Sequence, residues 1–254
     1  MKKERARGLL GIRIGSYNLE GLLEASMQVV AERRSQFTFA CANPHSLVVA
    51  QSDEKFRSAL QSCSAVVADG VGVSLTSRLL GSDVGPRITG TDFFLGVMSR
   101  MNRRGGKAFF LGSTPFVLDR IVSRTSTEFP NVHIDVLSPP FGEWSDQANQ
   151  DLIAAIRAAQ PDVLWIGMTA PKQEKWVHDY ATLCGVPVIG SIGAVFDYYA
   201  DTIHRAPKWV CRVGLEWLYR LIGEPRRLWR RTLISAPVFL WFALRERFAL
   251  SIHR

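Results

Sequence analysis

The sequence lacks several features that would place it in a common class of protein. Its four cysteines form no Cys-x-x-Cys pair and have no histidine at zinc spacing, which predicts reduced core residues in a cytosolic protein. The longest apolar run, residues 236–244, is shorter than the roughly 20 residues of a membrane-spanning helix. Only residues 8–14 separate the charged N-terminus from the next polar residues, too few for the apolar part of a signal peptide.

Several catalytic and nucleotide-binding motifs are also absent. The chain has no Gly-x-Gly-x-x-Gly fingerprint, no Walker A loop, no Gly-x-Ser-x-Gly elbow and no His-Glu-x-x-His motif,. It has no Asp-x-Asp, the usual carrier of a divalent cation in enzymes that use nucleotide sugars, and its five histidines form no ligand cluster. We therefore expect no metal ion and no other cofactor. A nicotinamide-dependent oxidoreductase is an alternative that the missing fingerprint weakens.

What the sequence does have is a strongly uneven distribution of charge. The formal net charge is +8, and residues 203–254 hold all of it, with eleven Lys/Arg against three Glu and four of the seven tryptophans. A cationic, Trp-rich end predicts contact with an anionic, partly apolar partner such as a membrane surface. The alternative is a nucleic-acid-binding protein. Against nucleic acid, the tail alternates Arg with Leu, Trp and Phe and has no recognition-helix pattern.

Residues 1–202 have the pattern of an α/β domain, with a Rossmann-like, mostly parallel sheet and flanking helices. Continuous apolar runs, typical of buried parallel strands, alternate with helical patterns. The predicted strands are 11–15, 37–42, 65–68, 108–111, 133–137, 163–167 and 186–190. The predicted helices are 19–33, 53–61, 90–103, 115–128, 146–159 and 173–183. In the tail we expect helices alone, two of them starting at Pro207 and Pro225, with Pro237 as an interruption before the last,.

Candidate site residues follow the ends of predicted strands, where open parallel sheets bind ligands. Asp69 is well placed to be a general base or a ligand to a sugar hydroxyl, with a helix cap as the alternative. Arg87, Thr89 and Asp92 lie around one glycine, where the arginine and the backbone N–H groups suit a phosphate, with a Thr or Asp helix cap as the alternative. The turn at Gly112 can hold a diphosphate or be a bare turn.

Two further groups have polar side chains in unusual density. Lys172, Gln173 and Glu174 follow Pro171 in the first turn of a predicted helix, directly after a buried strand, which favours contact with hydroxyls or phosphate. Arginines of the tail lie among glutamates and aromatic residues, as in a phosphate clamp or a salt-bridged helical surface. The sequence leaves both open for Arg205, Arg220 and Arg226.

Taken together, these segments resemble the WecG/TagA/CpsF family of bacterial glycosyltransferases, glycosyltransferase family 26. The resemblance covers about residues 10–232 in the family's order, and its most specific strings are residues 171–174, 205–207, 216–220 and 224–226. The other residues that carry it are Asn43, Asp69 with its neighbours, Arg87, Gly90, Asp92, Gly112, Gly193 and Asp197.

The resemblance implies an inverting, metal-independent hexosyltransferase. The enzyme would move a sugar from a UDP-sugar, of N-acetylmannosamine or glucose type, to an undecaprenyl-diphosphate-linked saccharide in polysaccharide biosynthesis. It implies Asp69 as the catalytic base and Asn43 and Gln173 as residues of the pocket. We expect a catalytic domain, 1–202, and a helical, basic appendage, 203–254, that completes the active site and attaches the protein peripherally to the inner face of the plasma membrane. The identity of the sugar and a homo-oligomeric state stay open.

The chain departs from the family pattern at two positions. Cys41 stands where the family often has threonine, so the sequence leaves open whether a hydroxyl contact with substrate is lost here, and we keep Cys41 as a candidate. Asp201 stands where glycine is common.

Overall fold

The computed structural model describes residues 7–81, 84–204, 206–207, 210 and 215–252. A hairpin of β1 (Arg7–Leu9) and β2 (Ile12–Ile14) comes first. The remaining strands are β3 (Phe37–Ala42), β4 (Ala65–Ala68), β5 (Gly106–Gly112), β6 (Val132–Leu137), β7 (Val163–Gly167) and β8 (Val188–Ser191). The helices of the body are α1 (Leu19–Glu32), α2 (Pro44–Ser52), α3 (Glu54–Ser62), α4 (Val71–Leu79), α5 (Gly90–Arg104), α6 (Pro115–Glu128), α7 (Asp146–Ala159), α8 (Lys172–Cys184) and α9 (Val195–Tyr199). The tail contains α10 (Glu216–Gly223), α11 (Pro225–Trp229), a π-helical turn (Arg230–Ile234) and α12 (Ser235–Ile252).

Strands β3 to β8 form one parallel sheet in the order β4-β3-β8-β7-β5-β6. Helices cover both faces, so successive residues of a strand enter different cores: Trp165 packs with Phe39 and Phe93, whereas Leu164 and Ile166 pack on the opposite face. The rings of Phe39 and Phe93 stack with centroids 4.0 Å apart. Burial on both faces explains the continuous apolar runs, and the predicted α/β class is confirmed.

The first predicted strand, 11–15, is wrong as a member of this sheet. Leu10 and Gly11, at φ 54° and 75°, form a tight turn that returns β2 antiparallel to β1. The Gly15 N–H bonds to the Val66 carbonyl over 3.1 Å, which places the hairpin beside β4. Helices α2 and α4 were not predicted, because Pro44 and the glycines at 70 and 72 are typical of loops,.

The tail turns back and packs on the body of the protein. Phe239 and Ala243 of α12 are buried, and Phe239 belongs to the same core cluster as Leu47 of α2. The Leu10 N–H donates to Glu246 Oε2 over 3.0 Å, and His45 Nδ1 lies 2.8 Å from Ser235 Oγ. The predicted division after residue 202 stays a prediction, but α12 shares a core with the body.

Pro237 does not interrupt the tail, contrary to the prediction. The preceding π-helical turn, in which the Ser235 N–H bonds to the Arg230 carbonyl, widens the helix where a proline ring would otherwise meet the preceding turn,. The helix start predicted at Pro225 is confirmed. The helix predicted from Pro207 starts later in its described part: α10 begins at Glu216, after Leu215 as its N-cap, while residues 208–209 and 211–214 lie outside the described residues. Within the described ranges, every helix is too short or too polar to span a bilayer.

Candidate active site

The floor of the site is the carboxyl end of β3 and β4. Ala42 pairs with Ala68, and the Asp69 N–H donates to the Ala42 carbonyl over 2.8 Å. The next residues of the two strands, Asn43 and Asp69, are therefore neighbours. Asn43 Oδ1 accepts the Ser46 N–H over 3.0 Å to cap α2, and the Asn43 N–H donates to Ser46 Oγ over 2.8 Å. This capping box fixes the Asn43 amide and does not use its nitrogen Nδ2.

Cys41 lies within electrostatic range of three carboxylates of the candidate site, which we call the cleft. Burial, and then the negative charges of Asp69, Glu174 and Asp92, raise the pKa of the Cys41 thiol well above its usual value, although a hydrogen bond from the Gly90 backbone lowers it. The thiol is therefore neutral. Because each of these carboxylates acts on the same sulfur, residues from three distant parts of the sequence meet in one cleft.

Arg87 joins the tail to this cleft. Its Nη2 donates to Glu216 Oε2 over 2.7 Å and lies 3.7 Å from Asp69 Oδ1. Glu216 is the first residue of α10, so one guanidinium contacts both the candidate base and the tail. The sequence included Glu216 in a family string but not among the site residues, because nothing local pairs two residues 129 positions apart.

Gln173 and Glu174 form a buried wall of the site. Gln173 Nε2 donates to Glu174 Oε1 over 2.8 Å, which fixes the amide orientation. Gln173 Oε1 is buried and accepts no hydrogen bond within the described part of the chain. A Cβ at Gly193, whose φ is 50°, would lie 3.4 Å from that oxygen. The Gln173 oxygen is therefore a fixed acceptor beside the β8 end, suited to a donor on a ligand.

Thr89 and Asp92 form the helix cap that was the alternative to phosphate binding. Thr89 Oγ1 accepts the Asp92 N–H over 3.2 Å, and Asp92 Oδ2 accepts the Thr89 N–H over 2.9 Å. Thr89 Oγ1 also donates to Asp92 Oδ2 over 2.7 Å. The cap places the N-terminus of α5 against Cys41. Substrate contact by either residue stays a prediction.

Gly112 and Lys172 have packing partners in the structure. Gly112 has φ 115°, and a Cβ there would lie 2.8 Å from the Gly167 carbonyl, so the close approach of β5 and β7 requires glycine,. Lys172 Nζ donates to the Gly142 carbonyl and lies 3.6 Å from the Trp144 ring centroid. Desolvation by burial lowers the pKa of Lys172. The two contacts of Lys172 hold the loop after β6. Phosphate binding by Gly112 or Lys172 stays a prediction.

The tail residues differ in how near they come to the cleft. The Arg220 guanidinium lies 5.4 Å from the Tyr198 ring centroid, on the helix that carries Asp197. Tyr198 was not a predicted site residue. Arg226 is exposed on α11, and among the described residues no contact joins it to the cleft. Arg205 lies outside the described residues.

Asp201, the second departure from the family pattern, follows this region. Its φ is 54°, in the left-handed region that favours glycine,. Asp tolerates that conformation better than most residues. The backbone therefore accounts for a glycine preference here without a role in substrate binding.

The assembled cleft combines a half-exposed carboxylate, a neutral thiol, a fixed amide acceptor and the cation Arg87. Such a set can accept a proton from a hydroxyl and hold an anionic group nearby. The described residues contain no group of three or more His, Cys, Asp or Glu that could hold a metal ion.

Comparison with known proteins connects this cleft to a family. The model of the glycosyl transferase WecG/TagA/CpsF family matches residues 7–252. The chain is 31% identical over 232 residues, 90% of this chain and 87% of the relative, to the N-acetylglucosaminyldiphosphoundecaprenol N-acetyl-beta-D-mannosaminyltransferase of Bacillus subtilis (strain 168). It is 30% identical over 205 residues, 81% and 77% of the two chains, to the protein of the same name from Bacillus spizizenii. The family model and both relatives cover most of the chain, which therefore belongs to the WecG/TagA/CpsF family of glycosyltransferases.

Proposed function

We propose that this glycosyltransferase moves N-acetylmannosamine from its UDP derivative to N-acetylglucosaminyl-diphosphoundecaprenol, with inversion at the anomeric carbon and without a metal ion. The observation that carries the mechanism is Asp69, held beside Asn43 at the end of β4 and 3.7 Å from Arg87. The relatives' names supply the sugar and the acceptor. UDP-glucose is the second donor to test.

In the proposed reaction, Asp69 removes the proton from an acceptor hydroxyl as its oxygen attacks the anomeric carbon. The new carbon–oxygen bond forms on the face opposite the diphosphate, while the bond to the diphosphate oxygen breaks and UDP leaves with the electron pair. One displacement inverts the anomeric configuration. Asp69 then carries the proton, which it returns to solvent.

Cations must accompany this chemistry because the cleft is itself acidic. Asp69, Glu174 and Asp92 all act on Cys41, and their charges would repel a diphosphate. We expect Arg87, 3.7 Å from Asp69, and Arg220, beside the Tyr198 ring, to supply this positive charge. Guanidinium groups suit this role because they bind two phosphate oxygens at once.

Asp69→Asn tests the proposed base directly. The amide keeps the shape of the side chain but cannot take the proton, so we expect kcat to fall by about 10²–10⁴-fold with unchanged thermal unfolding. Asp179→Asn, on the exposed face of α8, is the matched control. NMR of the product should show an inverted anomeric centre, and EDTA should leave the rate unchanged. Near-normal turnover by Asp69→Asn would remove Asp69 from the mechanism.

We also propose that α12 seats the enzyme on an anionic membrane. Phe239 and Ala243 face the core, whereas the outer side exposes apolar residues next to Arg245. These residues are Leu240, Trp241, Leu244 and Phe248. An apolar face with flanking cations is typical of a helix that lies in the membrane interface.

Substitution is the sharper test of this contact, since deletion of α12 would remove Phe239 from the core. Trp241→Gln with Leu244→Gln should weaken binding to phosphatidylglycerol vesicles at least tenfold, because two large apolar side chains no longer enter the interface. Leu183→Gln, at an exposed leucine of α8, is the control. Unchanged vesicle binding would refute the contact. Salt-sensitive binding to oligonucleotides in its place would favour the nucleic-acid alternative.

A further inference from the structure

An exposed apolar row runs along α4, the helix that follows Asp69. Val71, Leu75 and Leu79 are 39%, 53% and 63% exposed and recur every four residues, so they share one helix face,. The opposite face, with Val73, is buried. The row begins two residues after the candidate base.

The far end of the row meets the tail. Arg247 of α12 donates a hydrogen bond to the Leu79 carbonyl, at the C-terminus of α4. Arg247 lies between Leu244 and Phe248, two residues of the exposed apolar side of α12. The row therefore starts at the catalytic cleft and ends at the helix proposed to contact the membrane.

We propose that the α4 row, defined as Val71, Leu75 and Leu79, binds the first isoprene units of the acceptor's polyprenyl chain. This inference rests on the proposed function. The acceptor's chain is joined to its reacting sugar through a diphosphate, so a hydroxyl at Asp69 puts the start of the chain near α4. The helix suits a lipid better than a protein partner, because α4 has no acidic residue and a single charge, Arg78.

The length of the row sets how much of the chain it can hold. Nine helical residues span about 13 Å. An isoprene unit adds four main-chain carbons, or about 5 Å with carbon–carbon bonds of about 1.5 Å. The α4 row therefore accommodates at most about three units, and the rest of an undecaprenyl chain continues toward α12 and the bilayer.

Acceptors of increasing chain length test this inference. N-acetylglucosaminyl diphosphates with one to five isoprene units are assayed below their aggregation concentrations, without vesicles. For the unmodified enzyme we expect KM to fall with each unit up to about three and then to level off. In Leu75→Gln/Leu79→Gln, KM for the three-unit acceptor should rise at least tenfold, while kcat and the KM values for the one-unit acceptor and the UDP-sugar stay unchanged. Leu183→Gln should behave like the unmodified enzyme.

Three results would overturn the inference. The double variant could keep the full dependence of KM on chain length, which would place the chain elsewhere. It could lose vesicle binding alone, which would make the row a membrane contact, or change only the oligomeric state, which would make it a contact between copies. Failure of the unmodified enzyme to transfer to any acceptor is a separate result, which refutes the proposed function and this inference with it. Leu79→Gln alone serves if the double variant does not fold.

Discussion

The pair of Arg87 and Glu216 offers a quantitative test of how the tail docks. Their side chains are 27% and 16% exposed, and the Nη2–Oε2 distance is 2.7 Å. Fully exposed ion pairs contribute about 0.2–1 kcal/mol, whereas hydrogen bonds to charged groups contribute about 1.5–3 kcal/mol. For this intermediate burial we expect a coupling free energy of about 1–2 kcal/mol.

A double-mutant cycle measures that coupling in the full-length chain. Arg87→Met, Glu216→Gln and the double variant are unfolded in urea, and the coupling is the departure of their unfolding free energies from additivity. Lys55→Met with Asp179→Asn is the matched control, because that pair has the same 2.7 Å separation but side chains 55% and 32% exposed. We expect the control to couple by less than about 0.5 kcal/mol.

One outcome of the double-mutant cycle would refute the docking of the tail. If Arg87 and Glu216 couple no more strongly than the control pair, α10 does not rest on the cleft in solution. The tail would then have to reach the substrate in some other arrangement, and the placement of Arg220 over α9 would lose its support as well.

Two further predictions concern packing and thiol chemistry. A methyl group at Gly167 would lie 2.3 Å from the Phe196 ring, so Gly167→Ala should lower the free energy of unfolding by about 1–3 kcal/mol. Gly223→Ala, where no atom lies within 4 Å, should not destabilise the protein; equal urea midpoints for the two variants would refute the packing argument. Burial raises the pKa of the Cys63 and Cys184 thiols to about 12 and that of the Cys41 thiol well above its usual value. All three thiols should therefore resist iodoacetamide at pH 8 until guanidinium unfolds the chain. Peptide mapping by mass spectrometry checks this, and rapid native labelling of Cys63, Cys184 and Cys41 would contradict the raised pKa values.

The parallel strands were the most predictable part of the fold. Residues 37–42, 65–68 and 163–167 were predicted with the bounds that the structure has. Helices cover both faces of these strands, so nearly every residue must be apolar, and the limits of each run are visible in the sequence.

The helices next to the site were harder to predict for a physical reason. Helix α4 follows Gly70, at φ 98°, and has a second glycine in its first turn. Both favour a loop when intrinsic propensity is considered alone. Burial of Val73 in the core outweighs that propensity, and burial depends on the packing of distant segments.

The candidate site was predictable where its signals are local. Asp69 follows a buried strand, and Thr89 with Asp92 has the spacing of a helix cap,. The contact of Arg87 with Glu216 is different, because many acidic residues could pair with one arginine and only the path of the tail selects among them. The close approach of Gly167 to Gly112 likewise depends on strand order, which local patterns do not encode.

The position of β8 has a consequence for how the enzyme is made. Although β8 is the last strand within the described residues, it lies between β3 and β7 and pairs with residues about 150 positions earlier. A nascent chain that stops short of it therefore has two separate half-sheets, with Asp69 on one and Gln173 beyond the other. Neither half has the candidate site alone, so we expect no activity before this strand inserts.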